Sequence, residues 1–237
     1  LMEANYLSEI IEHIKKNYDV ADDAEITMET NPGTINKEKF LEFKSIGINR
    51  ISIGVQSFDE NELKFLTRIH NKDEAIKTVN TAYDSGFENI SIDLIFNLPQ
   101  QTKKILKSNL EIATALPITH ISAYSLILER GTILNKMVLD GKVKLQDEDF
   151  DAELYAIAIE HFKKNNFIQY EVSNFCKPGF ECRHNNLYWR YKDYLSFGTS
   201  AHSFVNNRRW WNITSLKLYI TSIEEKGNAV LNFEDLS

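Results

Sequence analysis

Cysteine is scarce in this 237-residue sequence: only Cys176 and Cys182 occur. Two thiols cannot staple a secreted scaffold, and they fit a reducing cytosol. No apolar run approaches the roughly 18 residues that a membrane-spanning helix needs. The first residues, Leu1 to Tyr6, lack the layout of a signal peptide. Positive charge is also in short supply. The 27 Lys and Arg stand against 34 Asp and Glu, a net charge of −7. That argues against a chain built as a whole to bind nucleic acid, though not against a local basic patch. Short repeats and low-complexity segments are missing too. A cytoplasmic protein without a transmembrane segment is therefore expected.

What is present is core-forming material. Hydrophobic residues make up 43% and charged residues 26%, so the chain can bury one large domain, or a domain with an appendage. Leu1-Met2 runs directly into a helical pattern of Tyr6, Leu7, Ile10, Ile11 and Ile14. Such a start reads like the interior of a longer chain.

Up to about residue 128 the pattern alternates helix and strand. Helical text near 4–18, 36–46, 59–66, 72–85 and 101–115 separates strands at 25–30, 50–56, 89–96 and 120–128. Single strands divided by helices signal parallel βα units, in a barrel or a doubly wound sheet. Strands covered on both sides usually read as unbroken apolar runs. These alternate instead. Thr27 and Glu29, then Ser52, Gly54 and Gln56, then Ser91 and Asp93 share one face per strand, with Ile and Met on the other. Neighbouring strands that aim polar groups at one surface suit a barrel whose lumen holds a polar ligand. The plainer alternative is that these groups bond one another.

After residue 130 the character changes. Residues 147–165 form an amphipathic helix, 167–175 read as one strand, and 214–226 as a final helix, after which no closing element is evident. Between them, residues 176–211 read as loops rich in aromatic and basic side chains, including all three tryptophans.

Four residues in the first part stand out. Glu29 precedes the turn Asn31-Pro32-Gly33, at the carboxyl end of its strand, and Gln56 holds the same place in the next. Gly54 inside a strand points to a close approach by a ligand or neighbour. Asp59 is placed to cap the following helix. Asp93 sits mid-strand, where a lone carboxylate needs a partner or a ligand. Arg68 lies in a helix-to-helix connection. Together Glu29, Gln56, Arg68 and Asp93 suit a ligand with a carboxylate, an ammonium and a ribose diol. Taken singly, a strand Asp is more often a structural hydrogen-bond hub.

The ordered segments ETNPGT, RISIGVQSFDENEL, RIHNKDEA, GFENISIDLIFNLPQQT and HISAYSLILERGT, then QYEVSNF, GFECRHNNLYW and RRWWNI, span about residues 25–226. They resemble the oxygen-independent coproporphyrinogen III oxidase-like family of radical SAM proteins. The resemblance implies an α/β fold: a partial (β/α) barrel lacking its first two strands, over residues 1–130. A smaller α+β extension follows, over residues 131–237, with the aromatic loops. It also implies that Glu29, Gln56, Arg68 and Asp93 bind S-adenosylmethionine. The family's C-x3-C-x2-C motif, which ligates a 4Fe–4S cluster, is not in this sequence. Its expected place is upstream of residue 1, and the chain alone is expected to be inactive as a radical enzyme. Two departures are local. Asn97 and Gln100 stand where glycine is common, and Thr199-Ser200 where Pro-Gly is common.

His184-Asn185-Asn186-Leu187-Tyr188 fits the pattern H-N-x-x-Y, which resembles a haem-binding motif of the family's haem-chaperone branch. That makes His184 a candidate axial ligand to haem iron, with Tyr188 beside the macrocycle and His202 a lesser candidate. Taken without the family, a lone His in such a loop is ordinary. Aromatic faces and cations also suit a flat ligand with propionates, or a single nucleic-acid strand, which the acidity disfavours. The expected function is haem carriage to acceptor proteins. Oxidative decarboxylation of coproporphyrinogen III is the alternative.

Overall fold

The computed structural model describes residues 2–236, which divide into two compact units, Leu1–Glu181 and Cys182–Ser237. The first holds α1 (Ala4–Asn17), β1 (Thr27–Thr30), α2 (Lys37–Ser45), β2 (Arg50–Gln56), α3 (Glu60–Phe65) and α4 (Lys72–Asp84). It continues with β3 (Asn89–Phe96), α5 (Lys103–Ala115), β4 (His120–Ser125), α6 (Ile133–Leu139), α7 (Glu148–Lys164), β5 (Ile168–Gln169) and β6 (Asn174–Cys176). The second holds α8 (Arg183–Trp189), β7 (His202–Val205), β8 (Arg208–Asn212), α9 (Leu216–Lys226) and β9 (Val230–Asp235).

In the first unit six strands form one open sheet, in the order β1-β2-β3-β4-β6-β5. The first four are parallel, and β6 and β5 join antiparallel beyond β4. The helices start where side chains satisfy their free N–H groups. Asn36, Asp59, Asn71, Thr102 and Asp147 each accept a backbone N–H at a helix start, and Asn71 forms a capping box with Glu74.

The apolar core lies on one side of the sheet. Ile51, Ile53 and Val55 of β2, Ile90 and Ile92 of β3, and Ile121 of β4 are fully buried. They share a core with Phe40 and Phe43 of α2, Val79 of α4, Leu110 of α5 and Phe162 of α7. Each such side chain contributes about 1.5–3 kcal/mol on burial. The other face of the same strands carries the polar residues. The sheet is therefore apolar towards the helices and polar on its other face.

Several details differ from expectation. Residues 167–175 are two short strands, not one, and they return antiparallel along β4. With α7 they pack on the parallel sheet, so the unit boundary falls at 181/182 instead of 130/131. In the second unit, β7, β8 and β9 form an antiparallel sheet where loops were expected, and β9 supplies a closing element. Asn97 (φ 61°), Gln100 (φ 65°) and Ser200 (φ 58°) adopt the left-handed conformation that favours glycine. The glycine-like loop shapes are thus kept without the glycines.

Candidate functional site

Parallel pairing in register places side chains of one parity on one face. Glu29 aligns with Ser52, Ser52 with Ser91, and Ser91 with His120. One step further along, Asp93 aligns with Ser122, and Ser122 with Asn174 of β6. The result is a continuous polar strip across five strands.

Its charges are not evenly matched. Burial pushes the Asp93 carboxyl up to about 6, and the Glu29 carboxylate adds to that. Hydrogen bonds from Ser122 and Ser52, and the charge of Arg50, act the other way. Tyr124 is raised as well, by burial first, with Asp93 contributing. Deeper in the strip, burial and then the Arg50 charge press His120 down to about 3, so it is neutral. Its ring bridges Ser91 Oγ at 2.7 Å and Tyr170 OH at 2.8 Å. Arg50 is itself buried, 4% exposed, with Nη1 3.5 Å from Thr27 Oγ1 and its Nε unpartnered. Neither Arg50 nor His120 was singled out from sequence. The signal was there for Arg50, which shares the parity of Ser52 and Gly54.

Gln56 stands at a local distortion at the end of β2. The β2–β3 register shifts between Ile53 and Gln56, and Gln56 has φ 68°. Its amide lies over Gly54. A Cβ on Gly54 would fall 2.9 Å from Gln56 Nε2 and 3.0 Å from Asn31 Oδ1. The bare glycine therefore makes room for two amides at the carboxyl end of β2, where parallel sheets place their ligands.

Arg68 sits in the α3–α4 turn that follows. The turn is pinned by Arg68 N to Leu63 O at 2.9 Å, and by His70 Nε2 against Val55 O at 3.0 Å. The Arg68 Nε is buried and has no partner. No hydrogen bond or ion pair joins Arg68 to Glu29, Gln56 or Asp93 among the described residues. The structure thus sets Glu29 and Asp93 on one face of the sheet, Gln56 over Gly54 at the end of β2, and Arg68 in the turn that follows.

Sequence reading missed what holds this end together. Glu62 of α3 is buried, and its carboxylate accepts from Ser57 Oγ (2.5 Å), Gln101 Nε2 (2.7 Å) and Asn109 Nδ2 (2.9 Å). Burial raises its pKa, against those three hydrogen bonds. The loop after β2, the loop after β3, and α5 are clasped through one side chain. Sequence offered little sign of this, because Glu62 looks like any acid in a first helical turn.

The donor set fits an aminocarboxylate nucleoside. The strip offers carboxylates for an ammonium and for hydroxyls, and the α3–α4 turn holds the orphaned Nε of Arg68 for a carboxylate. It does not fit an iron–sulfur cluster. No group of three or more His, Cys, Asp or Glu side chains could hold a metal ion among the described residues. Cys176 and Cys182 are both buried and neither forms a disulfide, and burial pushes the Cys176 thiol up to about 12.

In the second unit, α8 carries His184 and Tyr188 one turn apart. His184 Nε2 and Tyr188 OH are 2.9 Å apart, and the rings meet edge-on at 4.8 Å. Tyr188 in turn packs against Tyr194 at 4.5 Å between ring centres. A cavity of about 310 Å³ adjoins them, lined by Tyr188, Trp189, Tyr191, Tyr194 and Phe204, with Lys192 and Arg209. Arg209 also reaches Glu234 at 3.3 Å. His202 stacks on Trp211 of β8 instead, outside this lining.

A sequence profile of the radical SAM superfamily matches residues 3–111. The heme chaperone HemW of Bacillus subtilis is 38% identical over 207 residues, which cover 87% of this chain and 55% of that protein. HemW of Haemophilus influenzae is 40% identical over 202 residues, covering 85% of this chain and 52% of the relative. The chain thus spans about half the length of these curated relatives. Among solved structures, coproporphyrinogen III oxidase (HemN) from Escherichia coli, described as a radical SAM enzyme, matches with a TM-score of 0.82 at 21% identity. The match covers all of this chain and 57% of that one, so the partial barrel is a radical-SAM fold.

Proposed function

Because this chain belongs to the coproporphyrinogen oxidase-like family of radical SAM proteins, we propose that it is part of a haem chaperone, which binds haem and delivers it to acceptor proteins. The observation that carries this reading is the His184–Tyr188 pair on α8 beside a cavity walled by aromatic rings and two cations. A neutral imidazole is a good axial ligand for haem iron. Stacking faces suit the macrocycle, and cations such as Lys192 suit its propionates. The HemW relatives are named as haem chaperones.

On the same reading, S-adenosylmethionine is held at the polar strip of the first unit. Arg68, with its unpartnered Nε, would take the cofactor carboxylate. Glu29, Gln56 and Asp93 would take its ammonium and ribose hydroxyls. With a reduced 4Fe–4S cluster this cofactor supplies radical chemistry, but the cluster has no ligands in this sequence. The chain by itself is therefore read as a binder and not as a radical enzyme. The cytoplasm is the expected location, in keeping with two cysteines that form no disulfide.

Coproporphyrinogen oxidation is the competing reading. The likeness to coproporphyrinogen oxidase bears on architecture alone, and the H-N-x-x-Y pattern favours the carrier. A transfer assay tests it. The chain is loaded with haem and mixed with apomyoglobin as a probe acceptor. Migration of the Soret band to the myoglobin position is expected within minutes. Haem that stays on the loaded chain would overturn the carrier role.

A further inference from the structure

The imidazole that is to meet iron is not idle in this structure. His184 Nε2 lies 2.9 Å from the Tyr188 hydroxyl, with the two rings edge-on. A neutral imidazole has one nitrogen lone pair to offer. If the phenol donates, its hydrogen occupies the Nε2 lone pair. If Nε2–H donates instead, that nitrogen has no lone pair until the proton moves to Nδ1. In either tautomer Nε2 cannot bond iron while the hydrogen bond stands.

The phenol is well held for this task. His184 and Tyr188 are four residues apart on α8, the spacing that puts side chains on one helix face. Tyr188 is braced edge-on by Tyr194 at 4.5 Å. Its ring also forms part of the wall of the 310 Å³ aromatic cavity. A planar ligand entering that cavity meets the same side chain that occupies the histidine.

We propose that Tyr188 is a displaceable cap on His184, holding Nε2 in the haem-free protein and releasing it when a macrocycle fills the cavity. The proposal rests on the haem reading given above. Displacement taxes affinity by one neutral hydrogen bond, which suits a carrier that must also let its cargo go. Tyr188 is on this view a positioning and gating residue, not a ligand.

The test is haem titration of the full chain in three forms, wild type, Tyr188→Phe and His184→Ala, followed at the Soret band. Tyr188→Phe keeps the ring and deletes the hydroxyl. It is expected to tighten haem binding about fivefold, the equivalent of about 1 kcal/mol for the bond no longer broken. His184→Ala is expected to lose the ligated Soret spectrum. In the haem-free chain, the ¹⁵N resonance of His184 Nε2 should shift in Tyr188→Phe. Equal or weaker haem binding by Tyr188→Phe, or an unmoved Nε2 resonance, overturns the cap even where His184→Ala confirms the site. If His184→Ala binds like wild type, the haem reading of this motif falls, and the cap falls with it.

Discussion

Asp93 is a carboxyl whose ionisation burial opposes, at a cost to the folded protein. Its carboxyl is pushed up to about 6 by burial, with Glu29 adding to the effect. A carboxyl whose folded pKa exceeds its unfolded value binds its proton more tightly when folded. Its stabilising contribution is complete below pH 3.8 and is lost as pH rises through about 6. Asp93→Asn removes that loss. Urea unfolding should show wild type falling behind the variant between those two pH values, by on the order of 2 kcal/mol after allowing for partial exposure. The same variant should bind S-adenosylmethionine more weakly. Identical pH profiles for the two proteins would contradict a carboxyl whose ionisation is opposed by burial in the strip. Glu62 is raised by burial too, but it accepts three hydrogen bonds from within the protein, which marks it as a clasp.

At the scale of the element, β2 concentrates the design. Its apolar side is fully buried, and its polar side carries Arg50, Ser52 and the bare Gly54. A Cβ at Gly54 would press on the ends of two side chains, Gln56 Nε2 and Asn31 Oδ1. Such ends can swing away, so Gly54→Ala should change stability by less than about 1 kcal/mol. It should weaken S-adenosylmethionine binding about tenfold in calorimetry, because the displaced amide is a proposed ligand contact. An unchanged affinity would remove Gln56 from the site. The four parallel strands were legible because alternation at period two is unusual in a covered parallel sheet and stood out against the helices. The hairpin of β5 and β6 was not, since Phe167, Ile168, Tyr170, Val172 and Phe175 read as one run with no glycine or proline at the turn. Strand β8 was hidden behind Arg208-Arg209, which read as surface loop. Helix α8 spans seven residues and begins Arg-His-Asn-Asn, poor helix formers apart from the arginine. Of the candidate site, the common face of Glu29 and Asp93 followed from parity. The bulge that turns Gln56 over Gly54, and the buried Arg50–His120 floor, depend on tertiary contacts that spacing does not encode.

For the whole molecule, the two proposed ligands belong to different units. The polar strip lies within Leu1–Glu181 and the aromatic cavity beside Tyr188 within Cys182–Ser237. Hydrogen exchange should register that division. S-adenosylmethionine is expected to slow exchange in β1, β2 and β3, and haem in α8 and the residues around Tyr194. Protection by either ligand appearing only in the other unit would reassign both sites. The acidic balance of the chain is no obstacle, because Lys192 supplies local positive charge at the aromatic cavity. The most direct measurement is a haem titration of the intact chain beside its His184→Ala variant, read at the Soret band. A sharp, saturable band in wild type that is lost or shifted in the variant is expected. Indistinguishable bands and affinities in the two proteins would mean that haem, if carried at all, is not carried by His184.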